Sequence, residues 1–189
     1  MLLFVPCVMS KLVIDLETRE SMRDIGGKGN LHMFTISVVG VYSYATNTYR
    51  AYTFEELGAL AELLTTTKRM IGFNTIGFDV PILKANMKRF GVDWDAISQL
   101  DIMAHIQEQI GYRIKLDTVA KATLEMGGKG DMTGLDAIRF WKEGRIDELK
   151  NYCLHDVQIT KEVYEYGLRE GRVLFEGWRR KYTVPVQWN

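Results

Sequence analysis

The stretch Lys11–Thr18, KLVIDLET, decides how this chain is read. Leu12, Val13, Ile14 and Leu16 suit a buried strand, yet two carboxylates, Asp15 and Glu17, interrupt the run where that strand should end. Side chains alternate faces along a strand, so residues i and i+2 project to the same side, roughly 6–7 Å apart. Asp15 and Glu17 therefore point together. Two anions on one apolar face repel each other and resist desolvation, and a divalent cation is the usual partner that offsets this cost.

Working outward from that strand, Arg19 to Leu31 is polar and glycine-rich and reads as a loop. Met33 to Tyr42 and Thr48 to Thr53 are rich in β-branched and aromatic residues, and with Ser43 to Asn47 between them they form a hairpin. Phe54, Leu57, Leu60, Ala61 and Leu64 recur at helical spacing behind Thr53 and Glu56, a pair of capping-box form. Arg69 to Phe73 is a short apolar strand, followed by the loop Asn74 to Asp79 and by a helix that holds Pro81 in its first turn and runs to about Arg89. Helical patterns then cover Asp101 to Gly111, Leu116 to Met126, Leu135 to Glu143 and Ile146 to Leu168. From Gly171 the pattern changes to two short extended segments with a turn at Glu176 and Gly177, a tail that packs on the core or meets a partner.

The 189 residues, 47% apolar and 25% charged, fit one globular domain over 1–189, with a motif core at 11–170 and a C-terminal extension at 171–189. The 24 basic and 24 acidic residues cancel, which argues against a broad charge-driven grip on nucleic acid but leaves room for a local basic groove. Cys7 and Cys153 make no disulfide framework, so a reducing cytoplasm is the expected setting. The opening MLLFVPCVM is too short to span a membrane and lacks the flanks of a signal peptide. Met9 is an alternative start, which would make residues 1–8 an extension.

Two further carboxylates stand in unusual places. Asp79 ends the run IGFNTIGFD, just past a strand, and also suits a helix cap before Val80 and Pro81. Asp156 lies in the last long helix with Tyr152 four residues earlier, so the two share a face. If that face docks beside the first strand, four carboxylates and a phenol converge. Such a set suits two hard cations, Mg²⁺ or Mn²⁺, roughly 3.5–4 Å apart, which clamp the attacking and leaving oxygens of an in-line displacement at phosphorus. Asp101 is read as a cap for the next helix rather than a ligand. His32, His105 and His155 have no zinc spacing. The loops Gly26–Asn30 and Gly127–Thr133 lack P-loop spacing and read as flexible turns.

The three motifs, DLET, Asn74-x-x-x-Phe78-Asp79 and Tyr152-x-x-x-Asp156, resemble those of the DEDD (DnaQ-like) superfamily of 3′ to 5′ exonucleases. Tyr152 marks the DEDDy branch. The histidine branch would carry its histidine where Asn151 stands. VAKATL and LKNYCLHDVQIT are most similar to the YprB-type group, which includes proteins fused to or associated with helicases.

The resemblance, over about residues 11–170, implies an α/β RNase H-like fold, a mixed five-stranded sheet flanked by helices with a short C-terminal extension. It implies a metal-dependent 3′ to 5′ exonuclease that releases nucleoside monophosphates from single-stranded DNA or RNA with a free 3′ end. Asp15, Glu17, Asp79 and Asp156 would hold two divalent cations, directly or through water, and Tyr152 would orient the attacking water. Leu16 and Thr18 would meet the 3′ hydroxyl, and Asn74 and Phe78 would line the groove. Lys129, shortly before the third motif, is a candidate strand contact. Two other readings stand beside this one: a catalytically silent nucleic-acid-binding module of a helicase or polymerase complex, and an endonuclease on the same fold.

Overall fold

The computed structural model describes residues 10–125, 132–177 and 180–188. The opening MLLFVPCVM, Lys129 and most of the loop Gly127–Thr133 lie outside the described residues.

The first strand, β1 (Lys11–Thr18), occupies the centre of a mixed five-stranded sheet. It pairs antiparallel with β2 (Ile36–Ser43), which pairs in turn with β3 (Thr48–Thr53). Every residue of β2 is buried, as a strand covered on both faces should be. Its strand begins later than the sequence pattern suggests, because Lys28–Met33 winds into a 3₁₀ turn. Met33 is left 55% exposed there. A 3₁₀ turn at Phe54–Glu56, closed by the Thr53/Glu56 capping box, leads into α1 (Leu57–Thr66).

On the other side of β1, β4 (Arg69–Gly72) pairs in parallel. α2 (Asp79–Asn86) follows and ends three residues short of the expected Arg89, the chain passing into a 3₁₀ turn at Lys88–Phe90. The last strand of the sheet, β5 (Ser98–Asp101), pairs in parallel with β4 and has no counterpart in the residue-by-residue reading. Its four residues, SQLD, show no apolar run; the parallel register against Arg69–Gly72 makes it a strand.

The helices α3 (Ile102–Ile110), α4 (Leu116–Leu124), α5 (Gly134–Lys142) and α6 (Ile146–Glu170) come next. The alternation in β1 now has a physical meaning. Leu12, Ile14 and Leu16 pack with α1 and α2, whereas Val13 packs with α3, α4 and α6. Asp15 and Glu17 share Val13's face, the one that α6 covers.

The tail forms a hairpin, β6 (Arg172–Glu176) and β7 (Lys181–Pro185), and it packs on the core. Val173, Phe175, Val184, Val186 and Trp188 are buried with residues of α4 and α6. Trp188 stacks on Tyr164 at 5.9 Å between ring centroids, over Gly167, where a Cβ would lie 2.3 Å from the indole. The Thr123 hydroxyl donates to Leu174 O and accepts from Leu174 N, both at 2.9 Å, and ties the hairpin to α4. Among the described residues no helix is long and apolar enough to cross a membrane.

Candidate active site

The end of β1 and the middle of α6 meet at the site. One carboxylate oxygen from each of Asp15, Glu17 and Asp156 lies within 4.8 Å of the others. The pairing of β1 with β2 shifts between Glu17 and Thr18, a bulge that bends the strand just where its carboxylates end.

Glycine makes the close approach of α6 possible. Gly40 sits opposite Asp15 in the register, and a Cβ there would lie 2.9 Å from Cys153 Sγ, 3.0 Å from Val157 Cγ2 and 3.3 Å from Cys153 O. The thiol fills that space, 3.5 Å from Asp15 O and 3.7 Å from Asp15 Oδ2. Burial, with Asp15 and Glu17 nearby, holds this thiol well above its ordinary pKa and so protonated. The Tyr152 phenol, 5% exposed, is pushed up in pKa by burial first and then by Glu17, Asp156 and Asp15. The phenol therefore keeps its proton at neutral pH.

Asp79 stands slightly apart. It lines the same cavity, about 540 Å³, as Asp15, Glu17, Tyr152 and Asp156, but lies outside the three-carboxylate cluster. Phe78 takes the N-cap position of α2 and Asp79 is the first helical residue, so the expected cap is displaced by one residue. Burial, followed by the charge of Asp101, pushes the Asp79 carboxyl up to about 7, against the pull of the N–H groups of Asp79 and Leu16.

The loop between β4 and α2 is fixed from two sides. Asp101, 4% exposed, caps α3 by accepting from Ala104 N at 3.1 Å, as its sequence suggests. It also accepts from Asn74 N at 2.8 Å and Ile76 N at 3.0 Å. This second task had no local signal, because the partners lie 25 and 27 residues away. The bonds hold Asn74 at a φ of 70°, a left-handed conformation that Asn tolerates. At Gly72 a Cβ would lie 2.2 Å from Thr75 Cγ2 and 2.9 Å from Ile14 O, so glycine lets the loop lie against β1.

Leu16, Thr18, Asn74 and Phe78 all line the cavity, with Met22, Phe34, Leu135 and Ile138 as further walls. The Thr18 hydroxyl donates to Glu20 O at 2.8 Å, and Phe34 and Phe78 meet edge to face at 5.5 Å. A second groove, about 510 Å³, shares Asp15, Phe73, Asn74, Thr133, Gly134 and Tyr152 with the first and runs on to Arg113 and Lys115. Sequence reasoning missed Gly40, Cys153 and Arg113, whose positions follow only from tertiary packing.

The donor set suits a hard divalent cation, since all its ligand atoms are carboxylate oxygens.

Comparison with known proteins agrees with this architecture. The model of the family described as RNase_H superfamily matches residues 12–167. No curated protein matches the sequence. Among solved structures, the family B DNA polymerase from the hyperthermophilic archaeon Pyrobaculum calidifontis is similar over 85% of this chain, at 17% identity and a TM-score of 0.64. The chain covers 24% of that polymerase, and the likeness is one of fold.

Proposed function

The chain belongs to the RNase_H superfamily, and from that premise we propose that it is a metal-dependent 3′ to 5′ exonuclease of the DEDDy type, acting on single-stranded DNA or RNA. The observation that carries this reading is the cluster of Asp15, Glu17 and Asp156 within 4.8 Å, with Tyr152 one helical turn before Asp156 over the same cavity.

Asp15, Glu17 and Asp156 would hold the metals, and Asp79, on the same cavity, would complete the set directly or through water. Two bound divalent cations, Mg²⁺ or Mn²⁺, would lower the pKa of the attacking water and neutralise charge on the departing oxygen. The chain's own residues do the rest. Tyr152 donates its phenolic proton in a hydrogen bond that orients the incoming water. Leu16 and Thr18 seat the 3′-terminal sugar, and Phe78, Phe34 and Asn74 enclose the terminal base. The products are nucleoside monophosphates. We take residues 1–189 as one working unit, because the C-terminal hairpin shares the core of the helices that carry the site.

The likeness in fold to a DNA polymerase is consistent with nucleic acid as the substrate, and a helicase or polymerase partner rests on the resemblance of the motifs alone. A free, buried thiol at Cys153 suits a reducing cytoplasm. The test is a 3′-end-labelled single strand incubated with Mg²⁺ or Mn²⁺, the wild type beside Asp15→Asn and Asp156→Asn. Loss of label release in both variants and in EDTA is expected; activity surviving either substitution would sink the proposal.

A further inference from the structure

The two grooves that meet at Asp15, Asn74 and Tyr152 differ in charge. Among the described residues, the charged side chains lining the carboxylate cavity are all acidic: Asp15, Glu17, Glu20, Asp79 and Asp156. Its other walls are largely apolar, so it accepts a terminal base and cations but repels any phosphate that lacks a cation beside it. The adjoining groove carries both signs: beyond the shared Asp15 it adds Arg113, Lys115 and Asp117, and Asp117 lies 2.8 Å from Lys121 Nζ. A strand whose last nucleotide occupies the first cavity leaves across the second.

Arg113 stands at the junction. It belongs to the connection between α3 and α4, and its guanidinium donates to Asn74 Oδ1 at 2.7 Å. Asn74 is in turn held by Asp101. Gly77 makes room for this contact: a Cβ there would lie 2.7 Å from Asn74 Oδ1 and 3.9 Å from an Arg113 terminal nitrogen. A guanidinium has five N–H donors, and the amide oxygen of Asn74 engages only part of that set. Among the described residues no ion pair joins Arg113 to a carboxylate, although nine such pairs occur elsewhere. An exposed arginine, oriented by a neutral amide at the rim of an acidic site, keeps its full charge for an anion. Its planar fork matches two phosphate oxygens.

We propose that Arg113 is a substrate-positioning residue that holds a backbone phosphate of the strand one or two nucleotides 5′ of the bond that is cut. The proposal rests on the exonuclease reading above. The guanidinium thereby sets the path of the strand, and through Asn74 it couples the presence of a phosphate to the loop that carries Asp79.

The test measures binding of fluorescein-labelled ten-residue oligothymidylate and oligouridylate, in Ca²⁺ to suppress turnover, by wild type, Arg113→Ala and Arg113→Lys. Arg113→Ala is expected to bind about three- to tenfold more weakly, with a salt slope shallower by about 0.7, whereas Arg113→Lys keeps the slope. A single uncharged methylphosphonate linkage near the 3′ end should weaken the wild type at one position and leave Arg113→Ala indifferent there. Thymidine and uridine 5′-monophosphates, which have no upstream linkage, should bind both proteins alike. A loss in Arg113→Ala that is equal for the monophosphates, or independent of the methylphosphonate position, would show that Arg113 only braces the Asn74 loop and would overturn the proposal. Unchanged oligonucleotide binding by Arg113→Ala, with wild-type cleavage intact, would overturn it while leaving the exonuclease reading standing. Failure of the wild type to bind or cut either strand would remove both.

Discussion

Gly40→Ala tests whether the site depends on the close approach of α6 to the sheet. The added methyl would lie 2.9 Å from Cys153 Sγ and 3.3 Å from Cys153 O. Favourable contacts of this kind begin near 3.5 Å, so the sulfur contact asks for about 0.6 Å, and the carbonyl contact, which no side-chain rotation relieves, makes α6 retreat by at least about 0.2 Å. Overpacking of this size costs about 1–3 kcal/mol, reduced by about 0.5–1 kcal/mol because alanine is better than glycine in a strand. The melting temperature should therefore fall by no more than about 10 °C. Function should suffer more, because the retreating helix carries Tyr152 and Asp156 away from Asp15 and Glu17. A displacement near 1 Å costs about 10²-fold in a positioned reaction, so a retreat of about 0.2–0.6 Å is expected to lower Mn²⁺ affinity and strand cleavage by about 3- to 15-fold. Calorimetric Mn²⁺ titration and a gel cleavage assay read this out, with circular dichroism to establish folding. Adding Cys153→Ala removes the sulfur from the collision and should restore part of both losses. A folded Gly40→Ala protein with wild-type Mn²⁺ affinity and cleavage would show that the site does not depend on how closely α6 approaches the sheet.

Other perturbations follow from the same geometry. Asp101→Ala removes the acceptor for the N–H groups of Asn74, Ile76 and Ala104. It should cost about 2–4 kcal/mol in urea unfolding and lower cleavage further than that stability loss explains. Asp79 has a folded-state pKa of about 7, above its ordinary 3.8, so its protonated form favours the fold. That contribution is complete below pH 3.8 and is lost as pH rises through about 7. In EDTA, wild type should lose stability relative to Asp79→Asn between those limits, and Mn²⁺ affinity should rise over the same window; a flat difference between the two proteins would contradict the assignment. Trp188→Ala empties the space between Tyr164 and Gly167 and should cost about 3–5 kcal/mol by denaturant melts. A negligible change would show that the hairpin is dispensable.

Much of this was legible in the sequence because the signals were local. The alternation of KLVIDLET placed Asp15 and Glu17 on one face, and the four-residue spacing placed Tyr152 with Asp156. The capping box at Thr53 and Glu56 formed as read. The parts that escaped depend on distant partners. The strand Ser98–Asp101 exists because β4 offers a parallel edge, and nothing in SQLD shows it. Met33 reads as a strand residue by type, yet it ends a 3₁₀ turn, and the strand starts only at Ile36, where pairing with β1 begins. Gly40 looks like a weak point in a strand until Cys153 is seen to occupy the space of its missing side chain. Asp79 reads as a cap, but the chain enters the helix one residue earlier and leaves its carboxyl buried in the cavity.

The most direct test of the account follows a linear 5′-labelled strand and a circular strand of the same composition, each incubated with Mn²⁺. The linear strand is expected to shorten one nucleotide at a time from its 3′ end while nucleoside monophosphate accumulates in step and the circle stays intact. Cutting of the circle, or no product from the linear strand in either Mn²⁺ or Mg²⁺, would contradict the exonuclease reading.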